Sequence, residues 1–189
     1  LPLALFIIFM ILFFLFRSTA VSAIVFSGVA VAWSGGFILL WLYGQRWFMD
    51  FSIFGANLRE TFQVKPINLS VAIWVGFLAL FGIATDAGVV IASYIRQRLE
   101  LMGESTRENI RAAILEAGRL RILPCMMTTA TTILALLPVL TSTGRGSDIL
   151  VPMAIPVFGG MLLQVFTTLV VPVLYCLWEE FRLLFKKTA

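Results

Sequence analysis

One acidic residue stands where hydrocarbon is expected. Asp86 lies in the run Gly82-Ile83-Ala84-Thr85-Asp86-Ala87-Gly88, the only charge between Ile67 and Tyr94. A carboxylate at the centre of a membrane helix costs at least about 2.5 kcal/mol even on lenient scales, so it is kept where it meets a partner or a wet cavity. Burial favours its neutral form, and a neighbouring cation favours its charged form. A carboxyl group held between those two pulls can load and release protons. This reading is preferred to a static carboxylate hydrogen-bonded to neighbours such as Thr85. Thr128, Thr129, Thr131 and Thr132 lie in the next apolar stretch. Most threonines in lipid bond to their own preceding turn, and one or two here are candidates to face Asp86 and pass protons.

Other chemistries fail on residue types. Histidine is absent, which removes His triads, His metal sites and His proton shuttles. Two cysteines make no disulfide framework. Cys125 and Cys176 read as buried apolar residues near a reducing compartment. An intramembrane aspartyl protease needs two aspartates sharing one site, and Asp50 and Asp148 fall in outer loops. Methionine thioethers suit soft metals. Met126 and Met127 are adjacent and cannot share a helix face, however, and Met153 and Met161 are too far apart to share a site, so they read as apolar filler. No catalytic residue, metal ligand set or cofactor is assigned.

The elements that must position Asp86 follow from composition. Apolar residues make up 60% of the chain and charged ones 13%, against roughly 45–50% and about 25% in soluble domains. The chain is therefore read as all-α, an integral membrane bundle. A span needs about 20 apolar residues. Five stretches fit or nearly fit: approximately 1–16, 20–43, 67–94, 122–143 and 149–178. The first is slightly short. A signal peptide is disfavoured there, because the stretch has no basic lead-in or cleavage site and further spans follow. The start at Leu1, without Met or a polar lead-in, suggests a piece of a longer protein.

Charge sets the orientation. Arg17, the six arginines from Arg96 to Arg121, and Arg182, Lys186 and Lys187 fall on one side. Arg46, Arg59, Lys65 and Arg145 fall on the other. The richer side is expected to be cytoplasmic, with the N-terminus outside and the C-terminus inside. The net charge of +4 follows from this asymmetry, and no aromatic–basic interleaving points to nucleic acid. Trp41, Tyr43 and Trp47 at one end, and Tyr94, Tyr175 and Trp178 at the other, suit headgroup depths.

Between the third and fourth stretches, Ser105 and Glu108 have capping-box spacing. Ile110, Ile114 and Ala117 then recur at helical spacing. This predicts an amphipathic helix over about 105–118 lying along the cytoplasmic membrane surface. The loop from Gly44 to Pro66 is external and has no assigned chemistry. Gly76, Gly82, Gly88, Gly159 and Gly160 permit close helix contact, and Pro152, Pro156 and Pro172 interrupt the last stretch.

The order of features from Gly82 to Gly160 is specific. After G-I-A-T-D-A-G come Glu116-Ala117-Gly118-Arg119-Leu120-Arg121, Leu123-Pro124 and Met127-Thr128-Thr129. Leu137-Pro138, Ser142-Thr143-Gly144-Arg145-Gly146-Ser147 and Gly159-Gly160-Met161 complete it. This resembles the C-terminal membrane half of resistance-nodulation-division (RND) efflux pumps, spans eight to twelve of twelve. The run Asp86 to Val90, Pro2-Leu3 to Phe16-Arg17, Gly35-Gly36 and Leu40-Trp41 look most like the heavy-metal efflux branch, of cobalt-zinc-cadmium and copper-silver type. Multidrug members typically have a lysine at the position of Asp86.

The resemblance implies a proton/substrate antiporter and not an enzyme, in a bacterial inner membrane. It implies a homotrimer working with a periplasmic adaptor (membrane fusion protein) and an outer-membrane channel. It places Asp86 at the proton-relay position of span ten and Thr128 on the relay threonine of span eleven. The first membrane half and the periplasmic pump domains would lie outside this sequence. Leu150 stands where copper and silver pumps offer a methionine, which leaves zinc, cobalt, cadmium or nickel as cargo. The alternatives are a multidrug or lipid exporter of the same superfamily and a non-transporting membrane anchor or assembly subunit.

Overall fold

The computed structural model describes residues 2–45, 47–50, 52–53, 56–64, 66–102 and 107–188. The chain folds as an up-and-down helical bundle. Helix α1 (Pro2–Phe16) is followed by α2 (Thr19–Tyr43). Next come two short antiparallel strands, β1 (Ser52–Ile53) and β2 (Ala56–Asn57), and one turn of helix, α3 (Leu58–Thr61). Three long helices then complete the bundle: α4 (Val71–Met102), α5 (Arg107–Leu140) and α6 (Ser147–Thr188).

Among the described residues, α2, α4, α5 and α6 are long and apolar enough to cross a membrane. At 15 residues, α1 falls short of the usual length of about 20. Helix α6 is the hub and packs on α2, α4 and α5, while α1 leans on α2 and α4.

Packing in the bundle depends on missing side chains. Gly35 on α2 and Gly159 on α6 face each other so closely that a Cβ on either would lie 2.6 Å from the other's carbonyl oxygen. A Cβ on Gly76 of α4 would collide with the Met153 carbonyl of α6. Backbones approach this way in membranes because lipid supplies no hydrophobic drive and close van der Waals contact must replace it. Gly82 is different: it is exposed, and nothing lies within 4 Å of where its Cβ would be.

The two ends of the bundle are fastened differently. At the arginine-rich end, α1 stops at Phe16 and Arg17 takes a left-handed φ of 49°. Arg96 of α4 reaches across and donates from Nη1 to the Phe16 carbonyl at 2.9 Å, satisfying one of the orphan acceptors of a helix C-terminus. Arg98 pairs with Glu116 at 3.1 Å and Arg111 with Glu180 at 2.6 Å, joining α4 to α5 and α5 to α6. The guanidinium groups of Arg98 and Arg121 lie over the Tyr94 ring. At the opposite end, Val64 is buried beside Tyr43, Leu140 and Ile155. Gln63 there donates to the Ser142 carbonyl of the α5–α6 turn. The segment that follows α3 thus caps that end, and at the start of α3 the Asn57 side chain accepts from Arg59 N at 3.1 Å.

Two features take a different form from the one read in the sequence. Among the described residues, 107–118 do not form a separate helix. The segment from Arg107 is the first half of α5, continuous through Pro124 and Pro138 to Leu140. Its apolar stripe Ile110, Ile114 and Ala117 is buried with Ile91, Ile95, Cys125 and Tyr175, so protein and not lipid takes that face. Ser105, the other half of the expected capping box, lies outside the described residues. The aromatic rings also divide. Trp41 and Trp47 are exposed, as a membrane belt would have them, whereas Tyr43 and Tyr175 are core residues.

A methyl group added at the α2–α6 contact has nowhere to go. Gly159→Ala is expected to lower stability by about 1–3 kcal/mol, the usual cost of overpacking. Gly82→Ala should leave it unchanged or slightly higher, since Ala is the better helix former. Thermal unfolding of detergent-solubilised protein, followed by tryptophan fluorescence, separates the two.

Candidate functional site

Three helices build the site. Asp86 sits midway along α4. Helix α5 presents Pro124, Cys125, Thr128, Thr129 and Thr132 at the spacing of one helix face, and α6 supplies Met161 and Gln164. Together with Ile83, Ala87 and Val90 they line a recess of about 260 Å³. Thr129, Met161 and Gln164 are buried and form its floor. Asp86 and Thr128 are exposed at its mouth.

Hydrogen bonding in the recess is lopsided. Thr128 Oγ1 donates to the Cys125 carbonyl at 2.9 Å, Thr129 Oγ1 to the same oxygen at 2.9 Å, and Thr132 Oγ1 to the Thr128 carbonyl at 2.8 Å. Each hydroxyl is thus satisfied on its own helix. Thr85 behaves the same way, donating to the Phe81 carbonyl at 2.7 Å, so it does not hold the carboxylate beside it. Among the described residues Asp86 makes no hydrogen bond and no ion pair. Gln164 bridges the helices: its Nε2 donates to the Ala84 carbonyl of α4 at 3.1 Å.

The structure therefore brings Asp86 and Thr128 into one recess. Thr131 does not line it; its hydroxyl bonds back to Thr128 and Met127. Gln164 and Cys125 belong to the site and were not singled out for it from sequence. The signal for Gln164 was available, because it is the one amide side chain between Ile149 and Trp178. Among the described residues no group of three or more Cys, Asp or Glu side chains is arranged to hold a metal ion. Cys125 is buried and Cys176 half-buried.

Long apolar helices packed through glycines, with an acid that is unpaired among the described residues at the mouth of a recess between three of them, define a polytopic membrane protein with an ionisable group bordering its bundle. The chain belongs to the AcrB/AcrD/AcrF family, whose model matches residues 1–179. Over 167 residues it is 32% identical to the cation efflux system protein CusA of Escherichia coli K12, covering 85% of this chain. It is 33% identical over 175 residues to the cobalt-zinc-cadmium resistance protein CzcA of Cupriavidus metallidurans, covering 92% of this chain. It is 31% identical over 167 residues to the cation efflux system protein SilA of Salmonella typhimurium, covering 85%. The chain spans 14% of the length of each of these relatives. The resemblance read from the sequence, to heavy-metal RND pumps, is the one these matches give.

Because Thr128 is exposed and its hydroxyl serves only its own helix, Thr128→Val should change stability by no more than about 0.5 kcal/mol. A thermal melt of the variant checks this, and an unchanged melt makes any loss of transport a loss of the hydroxyl's function.

Proposed function

We propose that this chain is part of a proton-driven efflux transporter that exports heavy-metal cations across a bacterial inner membrane. The observation that carries the reading is Asp86, an acid without a partner among the described residues in an open recess of a membrane bundle, with Thr128 at the same mouth. An unpaired acid at this depth marks an ion pathway more often than a structural contact. Family membership and the names of the relatives, which speak of cation efflux and cobalt-zinc-cadmium resistance, support the cargo class.

In this reading α1 is a fifth crossing, and the five helices are spans eight to twelve of twelve. The arginine-rich end, with Arg96, Arg98, Arg111, Arg119 and Arg121, faces the cytoplasm by the positive-inside rule. The N-terminus of the chain then lies on the periplasmic side and its C-terminus inside. The open mouth of the recess is where a charged cluster from the other membrane half would meet Asp86. Protons arriving from the periplasm neutralise part of that cluster, the helices repack, and the movement is passed to periplasmic domains that bind and release the metal. The complete transporter works as a homotrimer with a periplasmic adaptor and an outer-membrane channel. Leu150 in place of a methionine favours zinc, cobalt, cadmium or nickel over copper and silver. The protein is a secondary transporter and not an enzyme.

The test is Asp86→Asn in the full-length transporter, reconstituted in vesicles with a proton gradient. The substitution keeps shape and removes titration, so proton-coupled metal flux should be lost while the protein still assembles. Flux equal to that of the unaltered transporter removes Asp86 from the mechanism.

A further inference from the structure

Gln164 is 2% exposed, and its Oε1 is buried without a hydrogen-bond partner, although its Nε2 is fixed to the Ala84 carbonyl. A buried acceptor left unpaired is costly, and each one in a native structure calls for an explanation. Gln164 borders the Asp86 recess on one side of α4. On the other side it borders a small cavity beside Gly28, Thr167 and Thr168.

The donors that could reach Oε1 are few. Thr128, Thr129 and Thr132 have each given their hydroxyl proton to a main-chain carbonyl. Thr167 and Thr168 have done the same, to the carbonyl of Gln164 itself. The titratable groups in the recess are Asp86 from α4 and Cys125 from α5; α6 contributes none, and α2 does not line it. A thiol is a weak donor. An ionised carboxylate only accepts, but a protonated one has an O–H to give.

We infer that Gln164 is the positioning residue through which protonation of Asp86 reaches α6. When Asp86 is ionised, two acceptors share the recess and do not bond. When Asp86 takes up a proton, its O–H donates to Gln164 Oε1. The amide then holds α4 at two points, the Ala84 carbonyl and the side chain two residues further on. Protonation thereby tightens the contact between α4 and the helix that also packs on α2 and α5. This inference rests on the reading of Asp86 as the proton carrier.

The test uses the full-length transporter in vesicles, with metal flux measured against pH for the unaltered protein, Gln164→Met and Asp86→Asn. Met preserves volume without the acceptor. Loss of one hydrogen bond to the protonated acid should move the pH midpoint of flux downward by about half to one unit. A purely structural role would lower the maximum and leave the midpoint in place, and that outcome overturns the inference. If Asp86→Asn transports normally, the underlying reading fails, whatever Gln164→Met does. Should Gln164→Met not assemble, infrared spectra of the unaltered transporter with isotope-labelled glutamine side chains decide the matter. Acidification should shift a glutamine carbonyl band, and Asp86→Asn should abolish that shift. A band that ignores pH overturns the inference.

Discussion

Hydrocarbon offers no hydrogen bonds, so every polar group in this bundle must find its partner inside the protein. The serines and threonines comply by turning back on their own helices. Ser22 donates to the Ser18 carbonyl, Ser27 to Ile24, Ser34 to Val31, and Thr85, Thr128, Thr129 and Thr132 follow the same pattern. Against that background the exceptions stand out. Three buried side-chain atoms among the described residues lack a partner: Trp33 Nε1, Ser142 Oγ and Gln164 Oε1. Trp33 sits among the rings of Phe37, Phe77 and Phe81, and Ser142 lies at the turn between α5 and α6. Only Gln164 shares a cavity with a charged group.

What could be read from the sequence divides along the same line between local and non-local physics. Hydropathy is local, so the apolar stretches and the anomaly of Asp86 are visible at once, while Thr128 stands out from the neighbouring threonines only through the family resemblance. An amphipathic stripe, by contrast, announces a buried face without saying what buries it. Ile110, Ile114 and Ala117 suit a membrane surface as well as they suit the Ile91–Ile95 face of α4, and only the tertiary fold chose the latter. The tyrosines are ambiguous for the same reason: a ring at a helix end suits a headgroup belt or a core, and Tyr43 and Tyr175 are buried. Gln164 was legible as an isolated amide in an apolar stretch, but its role depends on which carbonyl of α4 it meets.

The distribution of packing says where this bundle can move. Along the Gly35–Gly159 and Gly76–Met153 contacts the backbones of α2, α4 and α6 touch, and such close-packed seams resist gradual deformation. Two of the recesses border α5. The recess of about 260 Å³ separates it from α4 and α6, and an apolar groove of about 780 Å³ runs between α5 and α6 on another side. At its arginine-rich end α5 makes two ion pairs, Glu116 to Arg98 and Arg111 to Glu180. Asp86 therefore lies at the boundary between a close-packed three-helix seam and a helix with room beside it.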